Sequence, residues 1–322
     1  VPPERRGLSP NTILILLALL AAVSAIAFMT LGARGSWSFI LSFRGVKLLS
    51  MVLVAYAIAV STVLFQTITN NRILTPSIMG FDALYALLQT GLVLVLGAAT
   101  VSAIEPRLLF IVEVGTMMIF SVALYQLLFS GAIKSLHLLM LTGIVFGGLF
   151  RSLSGFMQRI IDPNDFVVLQ DRLFANFNTI DSQLLGVSFV LIALVTLIAW
   201  RIFHTFDVLA LGRETAISLG VEHRRVTMII LVLIAVLVSV STALVGPVTF
   251  FGLLVANLAY LIVPSNKHRH VLPAAVLISI ITLVGGQTLL ERIFAFQTAL
   301  SIIVEFAGGI VFILFLLKGN IR

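Results

Sequence analysis

Not one cysteine occurs in the 322 residues of this chain, so disulfides, thiolate nucleophiles and cysteine-ligated zinc are excluded together, while the redox compartment stays open. Charge is nearly as scarce. Only 10% of the residues are Asp, Glu, Lys or Arg, too few to clothe a water-soluble fold of this size. The few carboxylates are scattered, with no Ser-His-Asp or His-Glu-x-x-His grouping among them. A Gly-x-x-x-x-Gly-Lys-Ser/Thr phosphate loop is missing too, so any nucleotide hydrolysis must be done by another chain. Nor does a basic stripe interleaved with aromatics occur. The net charge of +7 therefore reports membrane orientation and lipid contact rather than a nucleic-acid partner.

What the chain has is apolar surface: 60% of it is hydrophobic and its mean hydropathy is +1.17. The membrane must be its solvent. A crossing needs roughly 20 apolar residues, and charge-poor segments of that length run from about 11 to 32, 48 to 70, 83 to 104, 108 to 129, 134 to 155 and 182 to 200. The stretch from Val226 to Asn266 is about twice one span, with Gly246-Pro247 as the natural hairpin between two helices. A ninth span follows Lys267-His268-Arg269-His270 and ends near Leu290, and a tenth covers about 298 to 317. The expected fold is all-α, about ten transmembrane helices in a single domain over 1–322, with halves at about 1–157 and 182–322. Between the halves, Gln158 to Asp181 is polar, and Asp162-Pro163-Asn164-Asp165 marks a turn and a helix start. The first apolar run is too long for a signal peptide and reads as a retained helix.

Ten spans place both termini on one side. The densest basic clusters, including Arg201, Arg213, Arg224, Arg225, Lys267 and Arg269, share that side, which makes the termini cytoplasmic and 201–225 a cytoplasmic loop. Two short strings recur five spans apart: Val60-Ser61-Thr62 as Val240-Ser241-Thr242, and Gly143-Ile-Val-Phe146 as Gly309-Ile-Val-Phe312. A five-span repeat inserts with inverted topology, an arrangement typical of transporters. Chance recurrence in so biased a composition is the alternative.

Three segments carry more than composition. Asn71-Arg-Ile-Leu-Thr-Pro76-Ser-Ile-Met-Gly80 resembles the Asn-Pro-Leu-Ala-x-Pro-x-x-Leu-Gly signature of the FecCD/BtuC permeases, which import siderophores, haem and cobalamin. Ala210-Leu-Gly-Arg-Glu-Thr-Ala-Ile-Ser-Leu-Gly-Val221 is similar to that family's Leu-Gly-x-x-x-Ala-x-x-Leu-Gly-Val loop, and Gly246-Pro-Val-Thr-Phe-Phe-Gly-Leu253 to its Gly-Pro-Ile-x-Phe-Val-Gly-Leu. Order and spacing agree over nearly the whole chain. There are departures: Ala256, Asn257 and Tyr260 stand where the family has Pro, His and Arg, and Arg72 replaces the first Pro of the other signature. The family's Trp-x-x-Gly-Ser is absent between Asp171 and Asp181.

The resemblance implies a type II importer permease of the bacterial inner membrane, working as a homodimer or beside a paralogue, with ferric siderophore as cargo and the catecholate type favoured by Thr-Pro-Ser-Ile-Met-Gly-Phe-Asp. Cobalamin or haem is the alternative cargo. It implies an ATPase dimer that binds the ATP and magnesium, coupled through Leu211, Gly212, Arg213, Glu214, Ala216, Leu219, Gly220 and Val221, where the two glycines bracket a stretch long enough for a two-turn helix. A substrate-binding protein would dock on Arg44, Lys47 and Arg292, for which anchoring to lipid phosphates is the plainer alternative. Asn71, Pro76, Gly80, Arg151, Gly246, Pro247, Phe250 and Phe251 are the implied gate and path, although small residues in membrane helices also serve close packing.

Glu113, Arg151 and Glu305 are costly at membrane depth and must face protein or water. Structural pairing is expected for the glutamates, and Arg151 is placed to offset an anionic cargo. His268 and His270 flank Arg269 in a basic loop, where lipid or ATPase contact is expected before metal binding. The chain itself is expected to hold no cofactor and no metal. Two rival classes remain: a secondary transporter driven by an ion gradient, which the repeat also fits, and an intramembrane enzyme, for which the catalytic set is lacking.

Overall fold

The computed structural model describes residues 8–32, 36–130, 136–178 and 180–292, together with 306, 308–310 and 313. Among these residues there are helices and no strands, the form in which a chain in lipid satisfies its backbone groups within each segment. Helix α1 (Pro10–Thr30) begins where Ser9 Oγ accepts the Thr12 N–H at 3.2 Å, with Pro10 in the first turn, where a missing N–H costs nothing. Helix α2 (Trp37–Thr69) starts well before the expected Leu48, so Arg44 and Lys47 lie inside it. The third expected span is two helices, α3 (Phe81–Leu96) and α4 (Ala98–Ala103). They part at Gly97, whose φ of +78° a side chain would resist.

Next come α5 (Pro106–Ser130) and α6 (Leu136–Gln158). The polar stretch holds α7 (Pro163–Leu173), capped by Asp162 through the Asn164 N–H at 2.8 Å, as its turn residues foretold. Helix α8 (Ser182–Arg201) leads to the short helices α9 (Phe203–Leu209) and α10 (Arg213–Ser218). After them come α11 (His223–Val245), α12 (Phe251–Ile262) and α13 (His268–Arg292). Seven of these helices are long and apolar enough to cross a membrane, and α3 and α12 are shorter apolar helices. Of the tenth expected span only residues 306, 308–310 and 313 are described, all of them helical, and Glu305 falls outside the described residues.

Helices α2 and α11 form the centre and are the most buried of the spans, while α1, α6 and α8 turn most of their length outward. Fully buried Phe65, Val54, Ile230 and Ile234 lie in the contiguous core that these two central helices share. Helix α6 crosses the entry to α3 closely. A Cβ on Gly143 would lie 2.8 Å from Met79 Cα, and one on Gly147 3.2 Å from Gly80 Cα, so the glycines there set backbone-to-backbone packing. Glu113 of α5 is buried, and Gln89 Nε2 of α3 donates to its Oε1 at 2.5 Å. Its partner is an amide rather than a cation.

Candidate functional site

Four groups of residues stand out, and the clearest is the α10 segment. Gly212 opens it at φ +95° and Gly220 closes it at φ +83°. The Val221 N–H bonds to Ala216 O and the Gly220 N–H to Ile217 O, each at 3.0 Å. That pair of bonds is a Schellman ending, which requires the left-handed residue that Gly220 supplies. Ala216 is fully buried and fastens the helix from beneath, whereas Leu211, Ile217 and Leu219 are more than half exposed. Three large apolar side chains on and flanking a six-residue helix, beside exposed Arg213 and Glu214, make a surface fit to seat in a partner.

Beneath it a hydrogen-bonded chain ties α9 to two spans. Asp207 Oδ1 accepts the backbone N–H of His268 at 2.8 Å and lies 2.7 Å from its Nδ1. His268 Nε2 lies 2.7 Å from Thr67 Oγ1 near the end of α2. Burial pushes the Asp207 carboxyl up, but the backbone and side-chain hydrogen bonds from His268 outweigh it and hold the group below its ordinary value. Asp207 and Thr67 were missed in the sequence, and His268 was read there only as part of a basic loop. His270 bonds instead to Ser265 Oγ through Nδ1, at 2.9 Å.

The third group is where two chain segments enter the bundle ahead of α3 and α12. After α2 the chain turns at Asn71, whose Oδ1 accepts the Ile73 N–H at 2.9 Å, and runs back beside Ser61 and Thr62 to a 3-10 turn at Pro76–Met79. Gly80, at φ +90°, then starts α3. After α11, Gly246 at φ +96° turns the chain toward Gly252, which packs against Thr62. Thr75, Pro76 and Gly246 line one small cavity of about 20 Å³, room for about one water. The two Val-Ser-Thr strings meet there, because Ser61 and Thr62 on α2 share its wall with Ser241 and Thr242 on α11.

The residues that depart from the expected signatures also touch one another. Arg72 covers the Tyr260 ring, and Asn257 Nδ2 donates to Arg72 O at 3.3 Å. Phe251 is fully buried, Phe250 is 44% exposed, and Arg151 stands exposed one turn beyond Gly147.

The fourth group lies at the opposite end of α2. Lys47 is buried, pairs with Glu291 of α13 and donates to Asn178 Oδ1 at 2.5 Å. Arg44 Nη1 donates to Phe28 O at 2.8 Å and Leu31 O at 3.0 Å, and Arg292 donates to the same Leu31 oxygen. Two guanidiniums thus cap the carbonyl end of α1, where a helix has acceptors to spare and favours positive charge. The sequence set Arg44 and Lys47 before a helix; the structure sets both within α2, and Lys47 points into protein.

With these positions fixed, comparison with known proteins decides the family, since the profile of the FecCD transport family matches residues 7–318. The chain belongs to the FecCD transport family. It is 48% identical over 96% of its length to the petrobactin import system permease protein YclO of Bacillus subtilis strain 168, covering 98% of that protein. With the petrobactin import system permease protein FatC of Bacillus anthracis it shares 36% identity, over 95% of this chain and 87% of the relative. Among solved structures, a metal-chelate type ABC transporter in an inward-facing conformation superposes with a TM-score of 0.82, covering 96% of this chain and all of that one at 23% identity. At that identity the likeness concerns the fold alone, which is that of a type II importer permease. This FecCD member is thus a multi-pass membrane transport subunit.

Proposed function

We propose that this permease carries ferric siderophore into the cell as one subunit of an ATP-driven importer, with ferric petrobactin as the first cargo to test. The observation that carries the reading is likeness to petrobactin permeases across nearly the whole chain. The α10 segment is the seat for a cytoplasmic ATPase dimer, which binds the ATP and magnesium. Its exposed Leu211, Ile217 and Leu219 supply the contact, and the chain from Asp207 through His268 to Thr67 carries the push to α13 and α2.

In this reading the termini are cytoplasmic, so the α1 carbonyl end with Arg44 and Arg292 faces outward. A substrate-binding protein docks there on the two arginines, while Lys47 holds the platform from inside. The path runs between this chain and a second permease copy, and the segments at Pro76 and Gly246 move as its gate. The test is uptake of radioactive ferric petrobactin into vesicles holding the permease, its ATPase and its binding protein. Uptake that requires ATP and stops without the ATPase supports the reading. Uptake that persists without any ATPase but collapses with the proton gradient would sink it in favour of a secondary transporter.

A further inference from the structure

Beside α10 runs a groove of about 1370 Å³, walled by α10, the first half of α11, the end of α2 and Ile198 of α8. Its two ends differ in chemistry. The rim carries Arg213, Arg224 and Arg225, and the floor is apolar with Ile68, Met228 and Val232.

Two observations ask for an anion at the rim. Helix α11 opens with His223, Arg224 and Arg225 and has no acidic residue in its first turn, and the side chain of Glu222 does not cap it. Basic residues at a helix N-terminus oppose its dipole, whereas a phosphate there is favoured by dipole and side chains together. The ion pair from Arg225 to Glu222 spans 3.6 Å between side chains about three-quarters exposed, too weak a hold to occupy the guanidinium. Independently, Thr227 also lines the groove, is fully buried, and its Oγ1 has no hydrogen-bond partner among the described residues. A buried hydroxyl without a partner is uncommon and marks a missing ligand or water.

We infer that the groove seats one anionic phospholipid from the leaflet on the α10 side. The phosphate sits between the arginines and the start of α11, above the buried Thr227, and one acyl chain lies along Ile198, Met228 and Val232. The apolar floor selects a lipid over a free anion, because inorganic phosphate would leave that surface uncovered. The lipid wedges α10 against α11 and stiffens the segment through which coupling runs, whichever cargo the permease carries.

The test uses the purified full-length permease in mild detergent, offered phosphatidylglycerol and phosphatidylcholine of equal chain length and read by native mass spectrometry. The wild type should retain phosphatidylglycerol over phosphatidylcholine by about tenfold or more. Arg224→Gln with Arg225→Gln should erase the preference, and Val232→Trp, which fills the floor and keeps the charge, should lower retention of both lipids. Lys267→Gln with Arg269→Gln removes the same charge from the basic loop at the start of α13, outside the groove, and should leave the headgroup preference in place. If the arginine pair fails to fold, Thr227→Val replaces it, with lower phosphatidylglycerol retention expected. The inference is overturned by no headgroup preference in the wild type, by equal losses in the control pair, by no effect of Val232→Trp, or by displacement of the lipid with millimolar inorganic phosphate.

Discussion

The guanidinium of Arg72 lies over the ring of Tyr260, 4.3 Å from its centroid. These are two of the positions at which the chain leaves the FecCD signatures, which carry Pro and Arg respectively. The two departures thus face each other in the structure: the cation on the segment after α2 lies against an aromatic face on α12. Gln66 and Asn257 fix the backbone beneath by donating to Arg72 O at 2.7 and 3.3 Å.

That contact predicts a rescue. Tyr260→Arg alone sets two guanidiniums against each other, a penalty of about 1 to 4 kcal/mol at such spacing, and should lower both thermal stability and uptake. Adding Arg72→Pro restores the family arrangement and should recover most of the loss. Thermal unfolding of the purified permease checks this. A double variant no better than Tyr260→Arg would show that the two positions are independent.

At Gly220 the constraint is conformational rather than steric, since a Cβ there would meet nothing within 4 Å while φ is +83°. A side chain in this region costs roughly 1 to 2 kcal/mol, least for Asn and most for β-branched residues. Gly220→Val should thus leave the protein inserted while uncoupling ATP hydrolysis from uptake, and Gly220→Asn should stay near wild type. Measured side by side, normal coupling in Gly220→Val would make the segment a passive loop.

The tie from Asp207 to His268 has a pH signature. The folded carboxyl titrates below its ordinary value, so its stabilisation is present above the unfolded value of about 4 and fades as pH falls through the folded one. Asp207→Asn should lower thermal stability at pH 7, and the gap from wild type should close below about pH 4. A gap that stays constant down to pH 3 would assign the loss to packing instead.

The spans and the α10 segment were legible because their signals are local: apolar runs of membrane length, and the glycines at the two ends of α10, where φ is positive. What could not be read were partners far apart in sequence. Lys47 and Arg44 looked like the end of an apolar run, yet α2 continues through them because Glu291 pairs with Lys47 from 244 residues away and the end of α1 receives Arg44. His268 likewise looked like one member of a basic cluster until Asp207 and Thr67 were set against it. The break at Gly97 carried no distinguishing local signal, because Gly91 in the same apolar run stays within α3 and the hydropathy is uninterrupted around both glycines.

The ion pair between Lys47 and Glu291 supplies the last prediction. Their side chains are 8% and 11% exposed, so removing one charge leaves the other buried without its counter-ion, a loss of about 3 to 5 kcal/mol for such pairs. Gln287 Nε2, donating to Glu291 Oε1 at 3.1 Å, cannot replace a full charge. Lys47→Met should therefore destabilise the permease strongly, as should Glu291→Leu. The double variant should recover much of the loss, because two apolar side chains of similar length can pack where the pair stood. Binding-protein association adds a second readout: Arg44→Glu with Arg292→Glu should weaken it directly, whereas Lys47→Met with Glu291→Leu should leave it close to wild type. Equal weakening in both double variants would mean that the integrity of this end of the bundle, rather than the arginine charges themselves, governs docking.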